Sequence, residues 1–262
     1  MANTLKQQTN SINSTKNLDK ITIQFLMKIN FHLTQKNLSL NEQMNTLMFG
    51  KYNHLYVYNV QKLIWYLKYF FYNLTALFKE RYNILIVNNI NISVFDEMLK
   101  NTVFFNQNSK FKNYLNITGI VNNNWYNGLI SNWKIVYDLI NKIVNSQSKL
   151  TSKQLKTKKI LSSFKHRLSS PSVPDLLFFF DINKKGLKES LKVNLPIISY
   201  TSNISNSDNF LYYVLGNTKS IYSIEFILTM IELSIINSIY LEQKVFKLIL
   251  LKKIYKLLKQ GK

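Results

Sequence analysis

The chain has 262 residues, enough to bury one sizeable hydrophobic core, and its 34 Lys plus Arg against 13 Asp plus Glu give a formal net charge of +21. A charge of that size indicates a polyanionic partner. The chain has no cysteine, which excludes disulfides, thiolate metal sites and cysteine nucleophiles. His32, His54 and His166 match no metal-ligand spacing and have no catalytic serine or carboxylate motif beside them. We therefore predict no enzyme activity, no metal site, no cofactor and no small-molecule substrate.

The basic residues are almost all lysine, since only Arg81 and Arg167 are arginine. Contact with phosphates through ammonium groups is therefore favoured over base reading by arginine forks. Alanine occurs only at Ala2 and Ala76, while Asn, Ile, Lys, Tyr and Phe are abundant. Codons rich in A and T encode the abundant residues, so the composition indicates an A/T-rich genome of the kind that organelles and some parasites carry.

The first fifty residues are predicted to form a polar tail and a short helix. Residues 1–20 lack the arginines of an import presequence. The spacing of Ile21, Phe25, Leu26 and Ile29 predicts a short amphipathic helix that ends near residue 31. The residues after that helix have no regular pattern, and Gly50 is predicted to lie in a turn.

Residues 51–240 alternate between strand and helix patterns, which is typical of a doubly wound α/β domain. A strand is predicted over His54–Tyr58, and Asn59 is placed to cap a helix over Val60–Glu80 whose apolar residues recur at helical spacing. Two further strands are predicted at Ile84–Val87 and Ile117–Val121, with a helix at Ser93–Phe105 between them.

A strand-helix-strand unit from Val173 to Tyr200 is predicted at the centre of the domain. The uninterrupted apolar run Leu176–Phe180 is typical of a strand buried on both faces of a parallel sheet. A short helix over Lys184–Val193 and a second strand over Leu195–Tyr200 complete a right-handed parallel crossover. The helix is predicted to turn Leu187, Leu191 and Val193 to the core and Lys184, Lys188 and Glu189 to solvent.

The C-terminal part is predicted to be one strand followed by a long helix. Tyr212–Val214 is the strand, and the helix begins near Ser220. Glu225 and Glu232 interrupt its apolar pattern, which favours a core helix over a membrane span. Residues 241–262 form a basic amphipathic extension that could lie on a membrane surface, a partner protein or RNA.

Two tryptophans eight residues apart, Trp125 and Trp133, lead into a helix predicted over Ile135–Val144. They either anchor that helix to the sheet or offer rings on which nucleotide bases stack. The pattern does not choose between these two interpretations.

This run also resembles a known family. Trp125, Gly128, Asn132, Trp133 and Lys134 are similar to the Arg-Trp-x-x-Gly-x-x-Thr-Asn-Trp-Lys signature of the small-subunit ribosomal protein S2 family. Further blocks follow in the family's order and together cover residues 23 to 235. They are Met48 to Gly50, His54 to Lys62, Ile84 to Val87, Pro174 and Asp175 with Asp181, Lys188 with Glu189, Leu195 with Pro196, and Gly216 with Asn217.

The resemblance implies a flavodoxin-like doubly wound parallel sheet with a helical hairpin insertion and a long C-terminal helix. It also implies a non-catalytic protein of the small ribosomal subunit, held by rRNA and neighbouring ribosomal proteins. The hairpin corresponds here to a basic insertion over residues 142–172, and no acidic residue occurs from Leu139 to Pro174. The residues assigned to rRNA contact are Lys134, Lys142, Lys149, Lys153, Lys156, Lys158, Lys159, Lys165 and Arg167.

The A/T-rich composition and the lack of a presequence add a location to this expectation. Together they predict translation inside an organelle, and the degree of divergence from the family favours a mitochondrion over a plastid. The expected protein is therefore a divergent, mitochondrially encoded one that acts in the mitochondrial matrix with other small-subunit proteins. Two alternatives belong to different classes. One is a membrane-associated organellar protein anchored by the C-terminal helix, and the other is a nucleotide-binding enzyme, although no glycine-rich phosphate loop follows any predicted strand.

Overall fold

The computed structural model describes residues 22–34, 42–90, 117–121, 125–145, 172–204 and 206–260. The helix predicted at Ser93–Phe105 and most of the basic insertion lie outside these residues. The helices are α1 (Ile23–Lys28), α2 (Glu42–Asn45), α3 (Val60–Lys79), α4 (Trp133–Asn145), α5 (Lys184–Lys192) and α6 (Ile221–Gln260). The strands are β1 (Met48–Tyr52), β2 (Leu55–Tyr58), β3 (Ile84–Asn88), β4 (Ile117–Val121), β5 (Leu176–Phe180), β6 (Ile197–Thr201) and β7 (Tyr212–Leu215).

Five parallel strands form the central sheet in the spatial order β4-β3-β5-β6-β7. This is the flavodoxin-like order. The chain passes from β3 to β4 on one side and then returns to β5 on the other side of β3, so the direction of the connections reverses between β3 and β5. Every residue of β3, β5 and β6 is buried, as expected for parallel strands covered on both faces. The predicted doubly wound sheet and its central strand-helix-strand unit are confirmed.

The strand predicted over His54–Tyr58 belongs instead to a separate antiparallel hairpin formed by β1 and β2. Gly50, predicted to lie in a turn, lies within β1. The turn is made by Asn53 and His54, whose φ angles of 45° and 65° lie in the left-handed region that a two-residue hairpin requires. Asparagine tolerates that region better than most residues, and it supplies the turn in a chain with only six glycines.

Helix α3 begins and ends close to the predicted bounds because the sequence carries two clear signals, an N-terminal cap residue and a continuous apolar stripe. The Asn59 side chain accepts hydrogen bonds from the backbone N–H groups of Gln61 and Lys62 at 3.1 and 3.3 Å. One face of the helix packs into the core, against α6 and β7. The buried residues on that face are Leu63, Leu67, Phe70, Phe71 and Leu74.

Helix α6 continues without a break through residue 241, where a separate extension was predicted to start. Its segment Ile221–Leu241 is long and apolar enough to cross a membrane, with a mean hydropathy of 1.6, despite Glu225 and Glu232. More than half of that segment is buried within the protein, where it packs against α3. The buried positions include Ile224, Ile227, Leu228, Ile231, Ile235 and Ile239.

Residues near the N-terminus close the carboxyl end of the sheet. The ring of Phe31 stacks on Tyr200 with centroids 6.0 Å apart, and a Cβ on Gly216 would lie 2.7 Å from Phe31 Cζ. The Tyr58 hydroxyl donates to the carbonyl of Ser202 at 2.5 Å. The part of the crevice beyond β6 and β7 is therefore filled by the chain's own aromatic side chains.

The crevice at the switch point between β3 and β5 is bridged as well. The Asn89 Nδ2 amide donates to the carbonyl of Ile182 at 3.1 Å. Asn183 Nδ2 in turn donates to Asn89 Oδ1 at 3.5 Å, so the loops after the two strands hold each other. Doubly wound proteins bind ligands at this place. In this chain the place is occupied by hydrogen bonds between the chain's own two loops.

Candidate nucleic-acid interface

The loop over residues 125–132, which we call the signature loop, is fastened to α5 by one carboxylate. Glu189 accepts hydrogen bonds from Trp125 Nε1 at 2.8 Å and from the backbone N–H groups of Gly128, Ile130 and Ser131 at 3.0, 2.8 and 3.1 Å. The Ser131 hydroxyl adds a fifth contact at 3.3 Å. An ionised carboxylate offers about four lone-pair sites, so the loop uses the acceptor capacity of this side chain fully.

The hydrogen bonds also determine the charge state of Glu189. Partial burial raises its pKa, but the bonds from Trp125, Ser131, Ile130 and Gly128 lower it, and the result lies below the ordinary value. The side chain is therefore ionised at neutral pH. The prediction that Glu189 faces solvent beside Lys184 and Lys188 is wrong, because the loop folds over this part of the helix.

A glycine lets the first tryptophan reach the helix. A Cβ on Gly186 would lie 3.0 Å from Trp125 Cε3 and 3.1 Å from Phe179 Cε1, so any larger residue would push the indole away. The buried positions of α5 are Gly186 and Ser190, whereas Leu191 and Val193, both predicted to face the core, are exposed. The packing of Trp125 therefore determines which face of this short helix is buried.

Both tryptophans are anchors. Trp125 is 7% exposed and Trp133 is 1% exposed, and the Trp125 ring stacks on Phe179 with centroids 6.4 Å apart. Rings buried to this extent present no free face to a nucleotide base, so the anchoring interpretation is confirmed for these two residues. Tyr126, which is 41% exposed, is an aromatic ring of the loop that solvent can reach.

A cleft of about 460 Å³ opens between the signature loop and α5. Lys185, Lys188 and Lys192 lie along the helix side of this cleft, and none forms an ion pair with a carboxylate of the described residues. The three ammonium groups outnumber the single ionised carboxylate of Glu189, so the lining of the cleft carries a net positive charge. We call it the lysine cleft, and it is lined by Asn127, Gly128, Ser131, Lys185, Lys188, Glu189, Lys192 and Val193.

The arrangement suits an anion with several oxygens, and phosphate groups of a nucleic acid are the natural candidates. Positions 185, 188 and 192 follow the i, i+3, i+7 spacing of a single helix face, so one ligand can meet all three lysines. Where the structure describes the chain, no three His, Asp or Glu side chains come together as a metal-ligand set.

Comparison with known proteins identifies the family of this fold and loop. The family model described as Ribosomal protein S2 matches residues 26–238. The chain belongs to the ribosomal protein S2 family.

Relatives named small ribosomal subunit protein uS2 match over much of the chain. The one from Ehrlichia canis is 25% identical over 237 residues, which cover 85% of this chain and 77% of the relative. The one from Ehrlichia chaffeensis is 24% identical over 237 residues, covering 85% and 78%. The one from Rickettsia typhi is 33% identical over 120 residues, covering 40% and 41%.

Two S2-family residues, Asp175 just before β5 and Asp181 just after it, connect β5 to its neighbours in the sheet. Asp175 Oδ2 accepts from the backbone N–H and the side-chain amide of Asn83 at 2.9 and 2.8 Å, which ties the start of β5 to the start of β3. Asp181 has a φ of 61°, and its Oδ1 accepts from Thr201 Oγ1 at 2.8 Å. Burial raises the pKa of Asp181 more than its hydrogen bonds lower it.

The remaining S2-family positions act in the same structural way. Asn217 accepts from Tyr200 through its carbonyl at 2.9 Å and donates through Nδ2 to the carbonyl of Asn30 at 3.1 Å. The carbonyl of Pro196 accepts from Leu177 at 3.1 Å, and Pro174 is buried. Gly128 has a φ of 86°, and Asn132 donates its backbone N–H to the carbonyl of Gly128 at 3.0 Å.

The basic residues predicted to contact rRNA are described only in part. Lys134 is exposed in the first turn of α4, directly after the buried Trp133, and Lys142 lies in the same helix. The others, from Lys149 to Arg167, lie outside the described residues. The lysines of the cleft were missed, although their spacing on α5 beside the Lys-Glu block of the S2 family could have indicated them.

Proposed function

We propose that this chain is a structural, non-catalytic constituent of the small ribosomal subunit of a mitochondrion, where it binds rRNA and neighbouring ribosomal proteins. The family match and the relatives named as small-subunit proteins support the ribosomal part. The relatives described above come from Ehrlichia and Rickettsia, which are bacteria related to mitochondria, and this supports the mitochondrial part. The A/T-type composition agrees with a gene carried by the organelle.

The lysine cleft is the observation that carries the RNA-binding proposal. It concentrates Lys185, Lys188 and Lys192 on a rigid wall, in a chain whose net charge is +21. Each ammonium group that neutralises a phosphate releases a condensed counterion, which makes binding favourable and dependent on salt. We extend the proposal to Lys134 and to the basic insertion over residues 142–172, which follow the signature loop in the chain.

In this mechanism the protein acts by holding its contacts at fixed distances. The parallel sheet positions α5, Glu189 positions the signature loop, and the two together form the walls of the cleft. Because the helix and the loop that form these walls are held in place before binding, RNA has to order only the lysine side chains. The protein therefore stabilises one arrangement of the folded rRNA and performs no chemistry.

Sedimentation of the epitope-tagged protein tests this function. A mitochondrial lysate is separated on a sucrose gradient, and each fraction is probed for the tag and for small-subunit rRNA. The tag is expected to migrate with small-subunit rRNA and to leave those fractions after ribonuclease treatment. A tag that stays at the top of the gradient, or one that remains in place without RNA, would contradict the proposal.

A second candidate function is supported by one observation, the apolar segment Ile221–Leu241 of α6. A membrane-associated protein would use this segment or the helix beyond it as an anchor. The burial of most of the segment against α3 disfavours that use. Carbonate extraction of mitochondrial membranes separates the two candidates, because a ribosomal protein is released and an anchored protein stays in the pellet.

A further inference from the structure

The signature loop contains a pair of residues that can react with each other. Asn127 and Gly128 form the one Asn-Gly pair in the sequence. In such a pair the backbone nitrogen of the glycine can attack the side-chain amide carbon of the asparagine, because glycine has no side chain that blocks the approach. The attack forms a succinimide ring, and hydrolysis of that ring leaves aspartate or isoaspartate in place of asparagine.

The pair lies in a turn that solvent reaches. Asn127 is exposed, and both residues line the lysine cleft. They are the central residues of a β-turn that the Leu129 backbone N–H closes by donating to the carbonyl of Tyr126 at 3.1 Å. The Gly128 φ of 86° fits the third position of a type II turn. No hydrogen bond to another described residue holds the Asn127 side chain, so water can reach its amide carbon.

In the docked loop the attacking nitrogen is held by Glu189. The Gly128 backbone N–H donates to Glu189 Oε2 at 3.0 Å. The attack requires this nitrogen to lose its proton and carry negative charge, and an ionised carboxylate at that distance disfavours a second negative charge. The same hydrogen bond fixes the orientation of the peptide plane between Asn127 and Gly128, which keeps the nitrogen from turning toward the side-chain carbon.

We propose that Asn127 is a latent deamidation site, which Glu189 keeps unreactive while the signature loop is docked on α5. Once the loop leaves α5, a bond forms between the Gly128 nitrogen and Asn127 Cγ, and the Cγ–Nδ2 bond breaks. The displaced nitrogen leaves as ammonia with the proton that the Gly128 amide has lost. Water then opens the succinimide at either carbonyl, so the sequence of steps consumes water and needs no enzyme.

The product changes the charge of the lysine cleft. Three lysines and Glu189 give the lining a charge of +2, and a carboxylate at position 127 lowers it to +1. Isoaspartate also lengthens the main chain by the side-chain carbon, which disrupts the β-turn. The deamidation itself does not depend on the proposed function, and only its effect on phosphate binding rests on that function.

Peptide mapping by mass spectrometry tests the proposal on the full-length protein without RNA. The protein is incubated at mildly alkaline pH, either folded or unfolded in urea, and the replacement of NH by O is followed at each asparagine. Asn206, an exposed residue that precedes Ser207, is the internal reference. Asn127→Gln should lose the product assigned to position 127.

In urea, deamidation should be faster at Asn127 than at Asn206, because a serine side chain hinders the attack. Folding should slow it, and Glu189→Gln should accelerate it by about ten- to hundredfold, because a loop that loses charged hydrogen bonds opens more often. Equal rates in the folded wild type and Glu189→Gln, or a rate in urea no higher than that of Asn206, would overturn the proposal. If faster reaction at Asn206 shows that Glu189→Gln is unfolded, Gly186→Ala replaces it with the same expectation.

Asn127→Asp separates this inference from the proposed function. It reproduces the charge of the product and should reduce the magnitude of the slope of log affinity for rRNA against log salt by about 1. An unchanged slope would overturn the effect on RNA while the deamidation kinetics still decide the modification site. Wild-type protein that fails to bind rRNA would overturn the proposed function and leave those kinetics as they are.

Discussion

The indole Nε1 of Trp125 donates a 2.8 Å hydrogen bond to Oε2 of Glu189. This bond joins two parts of the chain that are 64 residues apart, the signature loop and α5. Three backbone N–H groups of the loop converge on the same carboxylate. This carboxylate and the packing of Trp125 on Gly186 together hold the loop against the helix, and so they set the width of the lysine cleft.

Replacement of this acid should loosen the loop. In Glu189→Gln the amide offers one acceptor oxygen and a competing N–H₂ group, so some of the loop N–H groups lose their partner. Hydrogen bonds to charged groups contribute about 1.5 to 3 kcal/mol, and we expect a loss of that size in the free energy of unfolding measured by urea denaturation. Glu225→Gln, at an exposed position of α6, is the matched control and should change stability little. Equal stability of the two variants would contradict the role of Glu189.

The same carboxylate should make the free energy of unfolding depend on pH. Its pKa is lower in the folded protein than the ordinary value of 4.5, because the loop N–H groups favour the ionised form. This contribution to stability is fully present above the ordinary pKa and is lost as the pH falls through the folded pKa. Unfolding free energies between about pH 3 and pH 7 should fall more steeply with acid in the wild type than in Glu189→Gln. Parallel pH profiles would show that Glu189 does not provide this dependence.

Gly186→Ala tests the packing of Trp125 on α5. The added methyl group would lie 3.0 Å from the indole and 3.1 Å from the Phe179 ring, closer than carbon atoms pack. Such overpacking costs about 1 to 3 kcal/mol, and we expect thermal denaturation to show a loss in that range. Gly50→Ala is the control, since no atom lies within 4 Å of its added carbon. A Gly186→Ala protein as stable as this control would show that the loop does not pack here in solution.

The exposures of the three tryptophans predict a simple fluorescence result. Trp65 is 75% exposed, while Trp125 and Trp133 are 7% and 1% exposed. Acrylamide should therefore quench mainly Trp65, and Trp65→Phe should remove most of the quenchable emission. Trp125→Phe should leave that quenching unchanged. Strong quenching that persists in Trp65→Phe would mean that the signature loop is undocked from α5.

Local patterns in the sequence were enough to predict α3, β5 and the order of elements around them. Their apolar residues recur over many positions, and burial of a continuous stripe outweighs the unusual composition. Asn59 was identified as a cap because the backbone N–H groups at a helix start always need an acceptor. These features depend on residues that are close together in the chain.

The candidate site could not be predicted in the same way. Glu189 follows a lysine on a short helix, and that local pattern favours exposure to solvent. Its burial depends on a loop some sixty residues earlier in the chain, which reaches it only because Gly186 admits Trp125. The β1-β2 turn was missed for a different reason, since Asn53 and His54 take the place that glycine usually has in such turns.

The salt dependence of binding to transcribed small-subunit rRNA tests the central claim most directly. The triple variant Lys185→Ala, Lys188→Ala, Lys192→Ala removes three charges from the lysine cleft. The control Lys28→Ala, Lys79→Ala, Lys219→Ala removes three charges from exposed positions elsewhere. Affinity falls as salt rises, and the steepness of that fall reports the number of phosphates neutralised. If the cleft holds phosphates, the cleft variant reduces the magnitude of the slope of log affinity against log salt by about 2 to 3, and the control reduces it by much less. Equal slopes for the two variants would contradict the claim that the lysine cleft binds RNA.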